Sequence, residues 1–146
     1  MTIRPATAAD LAAIHAIEQA VDGDWTFGML QSSFAANDRI WVLQQEQQLI
    51  GFYVLGLASD VAELLNIAVH PAHQGHGHGR HVLQECLNAA RTADKTECWL
   101  EVRRSNSAAT RLYAALGFAE MRIRKGYYAT ANGTREDALI MRAQLT

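Results

Sequence analysis

Two hydrophobic periods alternate along the 146 residues. Leu11, Ile14, Ile17 and Val21 recur at steps of three and four, the spacing that gathers apolar side chains on one helical face. Thr7, with Asp10 three residues on, supplies a near capping box, so a first helix is expected over residues 8–21. Residues 22–37, with Gly23, Trp25, Phe27, Leu30 and Phe34, read as a loop leading into a short second helix. The pattern then becomes strand-like. Residues 40–44 are rich in β-formers, the polar run 45–48 supplies a turn, and residues 49–57 are apolar, which predicts an antiparallel hairpin. Residues 61–69 follow as a strand made nearly continuous by Leu64, Leu65, Ile67 and Val69, a pattern that belongs in the middle of a sheet.

After a segment, residues 74–79, in which Gly75, Gly77 and Gly79 alternate with polar residues, helical spacing returns at Val82, Leu83, Cys86, Leu87 and Ala90. Residues 97–103 alternate, with Cys98, Leu100 and Val102 on one side and Trp99, Glu101 and Arg103 on the other. Asn106 or Ser107 caps a short helix carrying Ala109, Leu112, Tyr113 and Leu116, and Gly117 stops it. Two β-like stretches, 118–124 and 137–144, close the chain. A hairpin combined with a strand, helix, strand crossover predicts an α/β (α+β) sheet of mixed direction with helices on both faces. Ligands in such sheets sit beyond the carboxyl ends of the central strands, which here are Val69 and Arg103.

Composition narrows the class. The chain is 49% hydrophobic and 19% charged, ordinary for a globular protein, and its length suits a single domain over residues 1–146. Thirteen Lys and Arg against fifteen Asp and Glu argue against a broad basic surface for nucleic acid. The longest apolar run, residues 49–58, falls short of the ~20 a membrane span needs, and no basic flank leads into an apolar stretch at the N-terminus, so a cytoplasmic protein without a membrane partner is expected. Cys86 and Cys98 lack Cys-x-x-Cys spacing and read as reduced, buried residues. Histidine is the skewed count: of six, His70, His73, His76, His78 and His81 crowd into twelve positions. A metal-binding module is one reading of that cluster. Zinc sites, however, take ligands set by regular structure, whereas most of these histidines sit on the loop between the strand and the next helix, which needs backbone freedom, so no metal is expected.

Glycine at alternate positions lets the backbone take positive φ and approach a ligand closely, and a helix N-terminus directly after it favours an anion such as a pyrophosphate. The loop lacks the Gly-Lys-Ser/Thr of a Walker loop and the spacing of a dinucleotide fingerprint. On its own it reads equally well as a flexible turn. Its neighbours are more specific. Asn66-Ile67-Ala68-Val69-His70-Pro71 followed by Gln74-x-x-Gly77-x-Gly79-Arg80 is similar to the acetyl-coenzyme A signature of the GNAT N-acetyltransferase family. Asn106-x-x-Ala109-x-x-Leu112-Tyr113-x-x-Leu116-Gly117-Phe118 resembles that family's Asn-to-Gly-Phe helix. The resemblance implies one mixed, mostly antiparallel sheet of about six to seven strands flanked by about four helices. It also implies acetyl-CoA as cosubstrate. A bulge in the strand over residues 61–69 would free backbone groups of Ile67, Ala68 and Val69 for the pantetheine arm. Gln74, Gly75, His76, Gly77, His78, Gly79 and Arg80 would surround the pyrophosphate, with Asn106 as a further cofactor contact.

Leu65-Asn66-Ile67-Ala68-Val69, Trp99-Leu100-Glu101-Val102-Arg103 with Ser105-Asn106, and Tyr127-Tyr128 followed by Gly133 and Arg135-Glu136-Asp137-Ala138-Leu139-Ile140-Met141 narrow the match. Together they are similar to the RimI-type ribosomal-protein-alanine N-acetyltransferases. That resemblance implies transfer to a protein N-terminal α-amine, with an alanine-starting small-subunit ribosomal protein as partner. It also implies Glu101 as proton acceptor and Tyr113 as proton donor. An α-amine has a pKa of ~7.7–8.0 against ~10.4 for lysine, which suits a glutamate base. Read without the resemblance, Glu101 is a strand carboxylate paired with Arg103 or Arg122, and Tyr113 packs beside Leu112 and Leu116. Two departures fall in loops on the acceptor side. Asp24 precedes Trp25 where a proline is usual, and Ala129 replaces the proline after the paired tyrosines, with one extra residue near Thr134. A small amine such as a polyamine, an amino acid or an aminoglycoside is the alternative acceptor.

Overall fold

The computed structural model describes residues 1–145. Its elements follow in the order β1 (Thr2–Pro5), α1 (Leu11–Ala20), α2 (Phe27–Ala35), β2 (Arg39–Gln45), β3 (Gln48–Gly56), β4 (Ala62–Val69), α3 (His78–Thr92), β5 (Glu97–Arg103), α4 (Ser107–Ala115), β6 (Phe118–Ala129) and β7 (Arg135–Gln144). The seven strands form one sheet in the order β1-β2-β3-β4-β5-β7-β6, so β4 is central, as its apolar run predicts. Every pairing is antiparallel except β4 with β5.

That parallel pair makes the cleft. Its register holds only at Ala62 opposite Cys98 and Glu63 opposite Trp99. Asn66 lies opposite Val54 and Leu64 opposite Leu55, which leaves Leu65 as the extra residue of a bulge. A bulge bends its strand and increases local twist. Ile67, Ala68 and Val69 keep their partners Tyr53, Phe52 and Gly51 on β3. Toward β5 they have none. The bulge thus lies two residues before the freed groups, and the parting of β4 from β5 is what opens their edge.

Each face of the sheet is covered by its own helices. Val82, Leu83, Cys86, Leu87 and Ala90 of α3 and Tyr113 of α4 pack with Tyr53, Leu55, Leu64, Cys98, Leu100 and Val102 in one apolar cluster that spans both sides of the parting. Leu11, Ile14 and Ile17 of α1 and Leu30 of α2 cover Ile40, Val42, Phe52 and Val54 on the other face. Each such side chain, fully buried, contributes about 1.5–3 kcal/mol. Both cysteines lie in the first cluster, free and buried, and burial pushes the Cys98 thiol up to about 12. Among the described residues no helix is long and apolar enough to cross a membrane.

Four boundaries differ from the pattern. The first helix is a 3-10 turn over Ala8–Asp10 before α1 proper. There Asp10 accepts from Arg4 Nη1 at 2.7 Å and from the Thr7 backbone N–H at 2.8 Å, which holds its carboxyl down to about 2. Helix α3 starts at His78 rather than after Gly79, so His78, Gly79 and Arg80 form its first turn. Strands β6 and β7 run longer than 118–124 and 137–144. Their pairing resumes at Tyr128 opposite Glu136 beyond a register shift at Gly126, whose φ is +62 and whose N–H donates to Asp137 Oδ1 at 3.0 Å. The break in alternation at Lys125 and Gly126 reads as a strand end but is a kink within one.

Candidate active site

Between the open edges of β4 and β5 lies a cleft of about 1310 Å³. Clefts for single small ligands run to ~300–1,000 Å³, so this one has room for a cofactor and an acceptor together. Of the residues predicted for the site, Ile67, Ala68, Val69, Gln74, Gly75, Gly79, Glu101, Asn106 and Tyr113 line it. His76, Gly77, His78 and Arg80 are outside that lining, on the same loop and first helical turn.

The loop end is made of backbone. Gln74 Nε2 donates to the Val69 carbonyl at 2.9 Å, tying the loop to the end of β4. Gly75 and Gly77 have φ of +81 and +84, and a Cβ at either would meet nothing within 4 Å. Glycine is needed there for conformation, not space. At Gly79, which has no such φ, a Cβ would lie in contact with Leu112 Cδ2 at 3.4 Å, where α3 starts against α4. The first-turn N–H groups at His78, Gly79 and Arg80 have no acceptor within the helix, and N-cap Gly77 has no side chain to offer them. This is an anion cradle without an internal occupant.

The histidines border this cradle without forming a metal centre. His70 Nδ1 accepts from the Ala72 N–H at 3.1 Å, His76 Nδ1 is 3.0 Å from the Gln74 carbonyl, and the His76 and His78 rings stack at 6.2 Å. Among the described residues no group of three or more His, Cys, Asp or Glu is arranged to hold a metal ion.

Glu101 and Tyr113 reach the cleft from different elements. Glu101 projects from β5 on the face opposite buried Leu100 and Val102, and its Oε1 lies 3.5 Å from Arg124 Nη1. Its ionic partner is therefore Arg124, not Arg103 or Arg122. Tyr113 is 93% buried on α4, with its ring 5.7 Å from that of Phe118. Burial raises its phenol well above the ordinary value. Asn106 caps α4, its Oδ1 accepting from the Ala109 N–H at 3.2 Å, which commits half of its amide to the helix.

Several cleft residues escaped the pattern reading. Asn66 Nδ2 is buried with no hydrogen-bond partner among the described residues, a polar atom within the apolar run of β4. Glu18 is 98% buried, and its Oε2 accepts from the Trp25 N–H at 3.0 Å. A Cβ on Gly23 would collide with that carboxylate. Arg103 Nη2 donates to both Asp24 oxygens at 2.8 and 3.0 Å, and Nη1 donates to Glu136 Oε1 at 3.0 Å. An acid on the apolar face of a helix, and a glycine five residues after it, were the available signals for Glu18. Arg103 and Glu136 stand in motif stretches and Asp24 at a departure from the pattern, but nothing in the sequence pairs them, because they lie far apart along the chain.

Residues 10–118 match the Acetyltransferase (GNAT) family, well over half of the chain. The chain belongs to the GNAT acetyltransferase family. It is 39% identical over 144 residues to the [ribosomal protein bS18]-alanine N-acetyltransferase of Escherichia coli K12, covering 96% of this chain and 95% of that protein. The corresponding enzyme of Haemophilus influenzae is 37% identical over 139 residues, covering 94% of each chain. Among solved structures, the ribosomal-protein-S18-alanine N-acetyltransferase from Escherichia coli superposes with a TM-score of 0.92 at 36% identity, over 99% of this chain and 94% of that one. An acetyltransferase of Salmonella typhimurium with its cofactor acetyl-CoA gives 0.84 at 26% identity, over 100% and 94%. The expected GNAT architecture, one mixed sheet with four helices, is the one observed, and acetyl-CoA is the donor this family uses.

Proposed function

We propose that this GNAT enzyme transfers the acetyl group of acetyl-CoA to the α-amine of a protein N-terminus, and that its acceptor is the N-terminal alanine of a small-subunit ribosomal protein. The observation that carries the reading is relatedness over nearly the full length to enzymes named for that reaction, at 39% identity. In this reading residues 1–146 act as one domain in the cytoplasm, without a nucleic-acid or membrane partner.

The donor end fits acetyl-CoA on its own terms. Positive φ at Gly75 and Gly77 and the uncapped first turn of α3 supply N–H groups for a pyrophosphate. The open edge at Ile67, Ala68 and Val69 supplies groups for the pantetheine arm, and an N–H there can polarise the thioester carbonyl. Bound acetyl-CoA brings an activated acyl group and a thiolate leaving group.

Glu101 takes the proton of the acceptor ammonium, directly or through one water, and Arg124 at 3.5 Å gives its charge a partner. Deprotonating an α-ammonium rather than a lysine ammonium is easier by about 3 kcal/mol, which is why this site suits chain termini. Tyr113 holds its proton through the physiological range because burial disfavours the phenolate. Its transfer to a thiolate is uphill by at least about 2 kcal/mol on ordinary phenol and thiol values. A hydrogen bond to a charged acceptor is worth about 1.5–3 kcal/mol, so Tyr113 stabilises the sulfur by donating to it as it takes up charge. The proton it then gives to the thiolate is replaced by the one the nitrogen loses as the amide forms.

The test is to incubate the enzyme with acetyl-CoA and peptides that differ at their first two residues, beside free polyamines and amino acids, and to locate the acetyl group by mass spectrometry. Acetyl on the α-amine of alanine-starting peptides is the expected result. Modification of the small amines alone would overturn the peptide reading and leave the GNAT assignment standing.

A further inference from the structure

The apolar cluster beneath α1 and α2 draws only on residues 6–68, whereas the one beneath α3 spans both sides of the parted strands. On the α1–α2 side, therefore, hydrophobic packing does not tie the two halves of the sheet together. Arg103 does. Through Nη2 it holds Asp24, in the segment between α1 and α2. Through Nη1 it holds Glu136 at 3.0 Å and the Ala129 carbonyl at 3.2 Å, and its guanidinium lies 4.4 Å from the Tyr128 ring centroid. One cation at the end of β5 thus joins the α1–α2 segment to the β6–β7 hairpin, across the mouth where an acceptor enters.

We propose that the Asp24–Arg103 pair is a latch that fixes the α1–α2 segment against the β6–β7 hairpin and so sets how tightly the acceptor peptide is held. The proposal rests on the peptide-acceptor reading above. Both are positioning residues. The inner end of the segment is already fixed by Glu18 on the Trp25 N–H, which leaves Asp24 to hold its outer edge. The Asp24 side chain is 56% exposed, so the latch is weak and salt-sensitive. A pair of that kind is worth about a two- to fivefold change in an equilibrium.

Asp24→Asn keeps size and removes charge at an exposed site. It is expected to raise KM for an alanine-starting peptide about two- to fivefold while leaving kcat and KM for acetyl-CoA unchanged. Raising salt from ~0.05 to ~0.5 M narrows the gap between wild type and variant. In an Arg103→Gln background, Asp24→Asn adds nothing further. An unchanged peptide KM, or full additivity with Arg103→Gln, overturns the latch. Amide hydrogen exchange over residues 22–29 of the free enzyme reads it without any acceptor: exchange quickens in Asp24→Asn if the latch exists, and unaltered exchange overturns it. Should the wild type acetylate no peptide α-amine, the functional reading fails while the exchange measurement still decides the latch.

Discussion

In the proposed reading, the wall of the cleft that receives the donor and the wall that receives the acceptor are built from different chemistry. On the donor wall the working groups are main-chain N–H groups at the open edge of β4, in the loop at Gly75 and Gly77 and in the first turn of α3. On the acceptor wall they are side chains, Glu101 with Arg124 and the paired rings of Tyr127 and Tyr128, with Arg103, Asp24 and Glu136 holding the elements that carry them. A wall of backbone tolerates almost any residue at its variable positions but depends on a few glycines. A wall of side chains is altered by one substitution. On that reading His76 and His78 occupy variable positions of the loop without being its chemistry, whereas a change at Asp24 or Glu101 acts directly on the acceptor side.

The largest effect that sharpens the contrast is expected at Glu101. Glu101→Gln should lower kcat by about 10²–10⁴ at neutral pH with KM for acetyl-CoA unchanged, as removal of a general base does. The deficit should shrink above about pH 8, where the α-amine loses its proton unaided. A mutant to wild-type ratio that stays flat across a pH–rate profile would deny Glu101 that role. Tyr113→Phe comes next, with kcat lower by about tenfold or more and affinity for acetyl-CoA, read by calorimetry, nearly intact. On the other wall, Gly77→Ala forces a Cβ into left-handed backbone at a cost of about 1–2 kcal/mol. That should weaken acetyl-CoA about five- to thirtyfold while the peptide KM holds. Smallest of all is the double change His76→Ala with His78→Ala, expected to move acetyl-CoA affinity by less than about twofold, the range of surface substitutions. A larger loss there would break the contrast, because the donor wall would then depend on side chains.

Legibility in the sequence follows the same division. The loop, the helix after it and the strand Glu97–Arg103 are local patterns, and each was readable within a dozen residues. A bulge in the strand over residues 61–69 is implied by the family resemblance alone; its place at Leu65 was not readable, because Leu64 and Leu65 are both apolar and either phase of the strand satisfies the pattern. The continuation of β6 past Gly126 was hidden for a related reason: a glycine in a β pattern marks a turn as readily as a bulge, and here it is a kink whose N–H is held by Asp137. Glu101 was visible as an outward carboxylate, yet its partner was not. Arg103, the nearer choice along the chain, is already held by Asp24 and Glu136, which leaves Arg124 of β6. Contacts spanning 79 and 33 residues, such as those of Arg103, leave no periodic trace.

The parallel rungs at Ala62 and Glu63 also have a mechanical meaning. Among the described residues these are the pairs that join β4 to β5, so the sheet consists of two parts, β1 to β4 and β5 to β7, that meet at one short parallel seam and share the apolar cluster beneath α3. A change in the angle between the two parts would break no strand pairing, and Arg103, at the opposite end of β5 from those rungs, is placed where such a change would be felt.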